Sequence, residues 1–171
     1  MTTSPSGTPD PQVARDVAAM LEENARTRAA FLAALDGVPE SRIPDRWFDG
    51  WSLREIVAHV AAWEDGFATA LELATRGERS VVPGFDSSEE DATNRFNART
   101  AAAIGDTSWA DLRARLDAAA VHHDAVLRTV PAHLGADKFE DGRSARRLAN
   151  AANHYEEHTP AILAWREREG I

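Results

Sequence analysis

The 171-residue sequence predicts an all-α fold, a four-helix bundle with one long crossover that carries an extra helix. Three observations lead there. Apolar residues recur every three to four positions in four long segments. Several of those segments open on a side chain suited to capping a helix N-terminus. No pair of alternating strand-like segments and no internal repeat is present, while alanine, the strongest helix former, is abundant.

Residues 1–9 are rich in Thr, Ser, Gly and Pro and read as a disordered N-terminal tail, leaving residues 10–171 as one bundle domain. Asp10-Pro11 reads as an N-cap followed by a first-turn proline. The helix it starts extends to about Leu35, with Val13, Val17, Met20, Leu21, Ala25, Phe31 and Leu35 near helical spacing; Gly37, Pro39 and Pro44 stop it. Ser52-Leu53-Arg54-Glu55 is a capping box for the second helix. Ile56, Val60, Trp63, Phe67 and Leu71 form its apolar stripe, and Arg76-Gly77 closes it. After an irregular stretch over 81–86, Ser87 or Ser88 is placed to cap a crossover helix reaching about Ile104. Ser108 caps the next helix, whose period runs through Leu112, Leu116, Ala119, Val126 and Leu127 to a stop at Pro131. The last helix is expected as one piece from about Ser144 to Arg168.

A chain of this length buries about two-thirds of its unfolded surface, so a metal would serve function rather than folding. The absence of cysteine excludes disulfides, thiolate metal sites and a cysteine nucleophile. Ligands must then be His, Asp or Glu, which suits zinc, nickel, iron or manganese. With 28 acidic against 19 basic residues the net charge is -9. So acidic a chain is not expected to bind nucleic acid, where Lys and Arg supply most of the affinity. No signal peptide and no apolar run of about 20 residues is seen, so a cytoplasmic protein without membrane contact is expected. Gly-x-Ser-x-Gly, phosphate-loop and dinucleotide fingerprints are missing, which argues against an α/β serine hydrolase and nucleotide-driven chemistry.

His154-Tyr155-Glu156-Glu157-His158 sets two histidines four residues apart, one turn apart on a single helix face. Leu148, Ala151, Ile162 and Trp165 share roughly that face, so the pair points toward the core. His59 lies between Ile56 and Trp63 on the apolar stripe of the second helix and also faces inward. Three inward imidazoles from two helices can hold one side of a metal ion and leave coordination open, as catalytic zinc sites do. Spacing alone leaves the competing reading open, in which each histidine is a hydrogen-bonded core or boundary residue.

The segment from Trp51 to Glu64, which contains His59, resembles the second-helix region of DinB-like proteins. Asn153-His154-Tyr155-Glu156-Glu157-His158, with Ile162 and Trp165 following, resembles their last-helix motif, and Thr75-Arg76-Gly77-Glu78 and Asn94-Arg95-Phe96-Asn97 resemble their crossover. The resemblance spans Ala14 to Trp165; its specific parts are the two histidine segments. It implies helices in up-down-down-up order and a metal site made by His59, His154 and His158. It further implies a metal-dependent enzyme acting on a small molecule. Thiol transfer or isomerisation with a low-molecular-weight thiol cosubstrate is implied more than hydrolysis by metal-activated water. The alternative is a DfsB-like protein that captures a toxic small molecule without a catalytic metal. Zinc or nickel is the expected ion, with iron or manganese next; a homodimer is compatible with the fold.

Other residues admit two readings each. Glu55, one turn before His59, is read as a catalytic residue touching the metal or its water or, preferably, as the capping-box carboxylate that its position already explains. Asn150, one turn before His154, is read either as orienting a ligand or substrate or as a polar boundary residue. Tyr155, the only tyrosine, is read as an oxyanion donor or, preferably, as a packed ring with a wet hydroxyl. Trp63 and Phe67 line a substrate pocket or belong to the core. Pro160 should bend the last helix. His122 and His123 are both expected at the surface or a boundary and His133 in a loop, outside the site.

Overall fold

In the computed structural model, which describes residues 8–140 and 145–171, the chain is all-helical. Its helices are α1 (Pro11–Leu35), α2 (Leu53–Thr75), α3 (Ala92–Ala102), α4 (Trp109–Thr129), α5 (Ala136–Glu140), α6 (Ala145–Ala149) and α7 (Ala152–Glu169). Most of the expected tail, and the expected start of the last helix at Ser144, lie outside the described residues.

The caps act as the sequence requires. The Asp10 carboxylate accepts from the amides of Gln12 at 2.9 Å and Val13 at 3.2 Å. At α2 the Ser52 hydroxyl accepts from the Arg54 amide and the Ser52 amide donates to Glu55 at 3.0 Å. Ser108 accepts from the Asp111 amide at 3.0 Å. Each such cap satisfies amides that the helix itself cannot, worth about 1 kcal/mol apiece.

Side-chain links fix the directions of the four long helices. Arg54, at the start of α2, donates to the carbonyls of Gly105 and Thr107 just ahead of α4, while Asp65 and Glu72 farther along α2 meet His122 farther along α4. The two helices are therefore parallel, which only a long crossover permits. The Asp10 amide, at the start of α1, donates to Pro131 beyond the end of α4, and Asp36 at the other end of α1 pairs with Arg113, so α1 and α4 are antiparallel. Asn24 meets the start of α7, and Arg166 near its end donates to the carbonyls of Ala34 and Asp36, so α1 and α7 are parallel. The order of α1, α2, α4 and α7 is up, down, down, up.

The core has two apolar parts. One gathers Phe31, Leu53, Ile56, Leu116, Ile162 and Trp165; the other gathers Val13, Val17, Leu71, Leu127 and Phe139. Full burial of each large side chain contributes about 1.5–3 kcal/mol. A polar layer lies between them and takes one residue from each long helix. Arg28 of α1 pairs at 3.2 Å with both Glu64 of α2 and Asp124 of α4, and Tyr155 of α7 donates its hydroxyl to Glu64. Burial pushes the Glu64 carboxyl up to about 6, against the opposing pull of its Tyr155 and Arg28 partners.

Three elements depart from expectation. The last helix is not continuous: it breaks at Asn150 and Ala151, between α6 and α7. Asn24, only 1% exposed, holds the break open. Its amide nitrogen donates to the Ala149 carbonyl at 3.0 Å, and its oxygen accepts from the Ala152 amide at 2.9 Å. The side chain thus replaces the bonds a continuous helix would make. The crossover helix starts later than expected, at Ala92 after Asp91 in a left-handed conformation; Ser88 instead bonds Asp86 in the preceding turn. The short α5 had no clear signal in sequence. Pro160 sits inside α7 on its exposed face, and the helix carries on through it.

Gly66 explains how the crossover reaches the bundle. A Cβ there would lie 2.7 Å from a methyl of Val82, so only glycine lets that stretch rest against α2.

Candidate metal centre

His59 comes from the second turn of α2, and His154 and His158 from the first two turns of α7. One ring nitrogen of each lies within 4.8 Å of the others. The Nε2 atoms of His59 and His154 are 2.6 Å apart. Aromatic rings close over them: Trp51 meets His59 edge-on at 5.2 Å between centroids, and Phe48 meets His158 at 5.6 Å.

Burial in this setting keeps the imidazoles neutral. It lowers His59 to about 4, helped by the nearby His158, and lowers His154 to about 2, helped by both neighbours. His158 is lowered for the same reason, against the pull of Glu157. Neutral imidazole is the ligating form, so a cation need displace few protons near neutral pH.

His158 carries the fit test for a metal. Both its ring nitrogens are buried without a hydrogen-bond partner. Buried polar groups are nearly always paired, so an unpartnered ring with one nitrogen in a cluster of three imidazoles requires a reason. A divalent cation in the cluster would pair with one of the two ring nitrogens, the one that lies within 4.8 Å of the other two imidazole nitrogens, and an all-nitrogen donor set fits zinc, nickel, iron or copper.

The cluster opens on a cavity of about 990 Å³. Phe48, Trp51, Trp63, Phe67 and Phe85 give it an aromatic side; Asn94, Asn97, Asn150, Asn153, Glu157 and Arg147 give it a polar one. Trp63 and Phe67 thus border the cavity, in contact with each other at 5.5 Å. Asn150 borders it too, though from the helix break, where its side chain accepts from the Asn153 amide at 3.4 Å.

Two candidates lie elsewhere. Glu55 stays in the α2 cap, bonded to Ser52 and paired with Arg46 at 3.1 Å, and does not line the cavity. Those bonds hold its carboxylate below its usual range although burial pulls the other way. Tyr155 is fully buried, and its hydroxyl is committed to Glu64 rather than wet. Burial and the Glu64 charge both hold its phenol above its ordinary value. One residue after His154, its ring faces Phe31 instead, at 5.3 Å between centroids. His123 also differs from expectation: it is a core residue, its Nε2 2.7 Å from the Leu148 carbonyl.

Sequence reasoning assigned no role to Asn24, Arg28, Glu64 or Asn97. A signal existed for two of them. Glu64 stands four residues after Val60, and Asn24 seven after Val17, each a polar residue on an apolar stripe. Asn97 had no such mark, since its partners come from another helix.

A helical bundle with a buried three-histidine cluster beside an open cavity is a scaffold able to present a metal ion to a small molecule. The chain belongs to the DinB superfamily, whose family model matches residues 23–160. No curated protein and no solved structure matches the chain. No helix among the described residues is long and apolar enough to cross a membrane.

Proposed function

We propose that this protein is a metal-dependent enzyme acting on a small molecule, with His59, His154 and His158 holding the ion. The observation that carries the reading is the unpartnered His158 ring in a cluster of three imidazoles, beside a cavity large enough for a substrate. A bound divalent cation lowers the pKa of a coordinated water or thiol, yielding a nucleophile near neutral pH.

Transfer of a low-molecular-weight thiol is favoured over hydrolysis. The cavity's 990 Å³ is at the upper end of small-molecule sites, room for a thiol and an electrophile together. The chain has no cysteine, so the thiol must be a cosubstrate. The aromatic side would take the apolar body of the electrophile. Asn150, Asn153 and Arg147 would orient its polar end, and Arg147 suits a carboxylate there. Capture of an apolar molecule without metal is the second reading, favoured by the same aromatic wall.

Elemental analysis of untagged protein purified without added metal tests the proposal. About one divalent ion per chain is expected, lost in His154→Ala. A thiol-consumption screen over electrophiles then separates transfer from hydrolysis. Metal-free protein that takes up neither Zn²⁺ nor Ni²⁺ at micromolar concentration, yet binds apolar ligands, supports capture and defeats the enzyme.

A further inference from the structure

The triad's geometry depends on a side chain outside it. Asn97, on α3, places its Oδ1 2.8 Å from the Trp63 indole nitrogen and 3.1 Å from His59 Nδ1. An indole N–H only donates, so the Asn97 atom facing it must be the carbonyl oxygen, not the amide nitrogen. That same oxygen faces His59 Nδ1, which must therefore carry the ring proton to bond it. The lone pair of His59 is then left on Nε2, the atom 2.6 Å from His154 Nε2 at the heart of the cluster.

We infer that Asn97 is a positioning residue, held in one amide orientation by Trp63, which fixes His59 in the Nδ1–H form and so presents Nε2 to a metal. The chain of cause runs from indole to amide to imidazole. Without Trp63 the amide could turn and offer its NH₂ group to Nδ1, placing the proton on Nε2 and blocking ligation. Partners of this kind, holding the far nitrogen of a ligating histidine, change metal affinity by about 10- to 100-fold when lost. Asn97 also makes the crossover part of the site, since it is a link from α3 to a metal ligand.

The cobalt arm of the test rests on the three-histidine proposal; the tautomer arm does not. Long-range proton–nitrogen NMR on metal-free, full-length protein reads which nitrogen of His59 is protonated. The Nδ1–H form is expected in the native chain and in Asn97→Asp, whose carboxylate only accepts. A mixture with the Nε2–H form is expected in Asn97→Leu and in Trp63→Phe, and Trp63→Phe combined with Asn97→Asp should return to Nδ1–H. Competition of Co²⁺ against a chelator should show affinity down about 10- to 100-fold in Asn97→Leu and retained in Asn97→Asp.

An Nε2–H His59 in the native chain overturns the inference, as does a Trp63→Phe tautomer equal to native. Equal Co²⁺ affinity in the native chain and Asn97→Leu also overturns it. Should the native chain bind no Co²⁺, the metal proposal fails while the tautomer still decides the role of Asn97. If Asn97→Leu does not fold, the native, Asn97→Asp and Trp63→Phe measurements remain decisive.

Discussion

Replacing His158 with leucine should stabilise the metal-free protein. The imidazole is 4% exposed, and both its nitrogens lack a partner. A buried polar group left unsatisfied costs about 1–3 kcal/mol, whereas an apolar side chain of similar size carries no such penalty. Leucine keeps contact with Phe48, whose ring meets the imidazole edge-on. Taking about 2 kcal/mol as the gain, and about 2–4 °C per kcal/mol for a domain of this size, Tm in chelator should rise by about 4–8 °C. Metal reverses the order. At a hundredfold excess over Kd the native chain gains about 2.7 kcal/mol, and the variant, with two imidazoles left, gains far less. Thermal melts with chelator and with zinc measure both effects. A His158→Leu protein that melts below the native chain in chelator would refute the reasoning, because the imidazole would then contribute to folding without a metal.

Other consequences follow from the same geometry. In chelator, stability should fall as pH drops below about 6.5: the unfolded chain takes up protons on histidines that stay neutral in the fold, His59 down to about 4. Glu64, its stabilisation present below 4.5 and lost as pH rises through about 6, and the acid-paired His122 act in the opposite sense, but they are two groups against four histidines held neutral, His59, His123, His154 and His158. Urea midpoints compared at pH 4.5 and 7 check the sign; equal midpoints contradict it. Asn24→Ala orphans a buried carbonyl and a buried amide, for a loss of about 3 kcal/mol and a Tm lower by about 6–12 °C. Because the break it holds sets where α7 begins, zinc affinity should fall as well, measured by chelator competition. Gly66→Ala should leave α2 intact, since alanine favours helix by about 1 kcal/mol, yet push Val82 away. Hydrogen exchange over 82–98 should quicken, and unchanged exchange would mean that the crossover does not rest on Gly66.

Much of the scaffold was legible in the chain. Asp10, Ser52 and Ser108 cap α1, α2 and α4 because a cap is a matter of three or four consecutive residues. The inward direction of His59, His154 and His158 was legible for a similar reason. Helical period ties each to apolar neighbours on its own helix, and the cluster follows once the two helices face each other. Tyr155 shows where this stops. Nothing near Tyr155 in sequence announces Glu64, 91 residues away, yet that bond removes its hydroxyl from the site.

By itself, then, the sequence determined the helices, their caps, the apolar stripes and the inward histidines, all products of interactions within a few residues. Tertiary structure alone decided the break that Asn24 opens before α7, the four-helix polar layer around Glu64, and the indole-to-amide contact that turns His59 Nε2 inward. Each of those rests on a directional bond between side chains or backbone far apart in the chain. Such bonds are set by distances of tenths of an ångström, which periodicity does not encode.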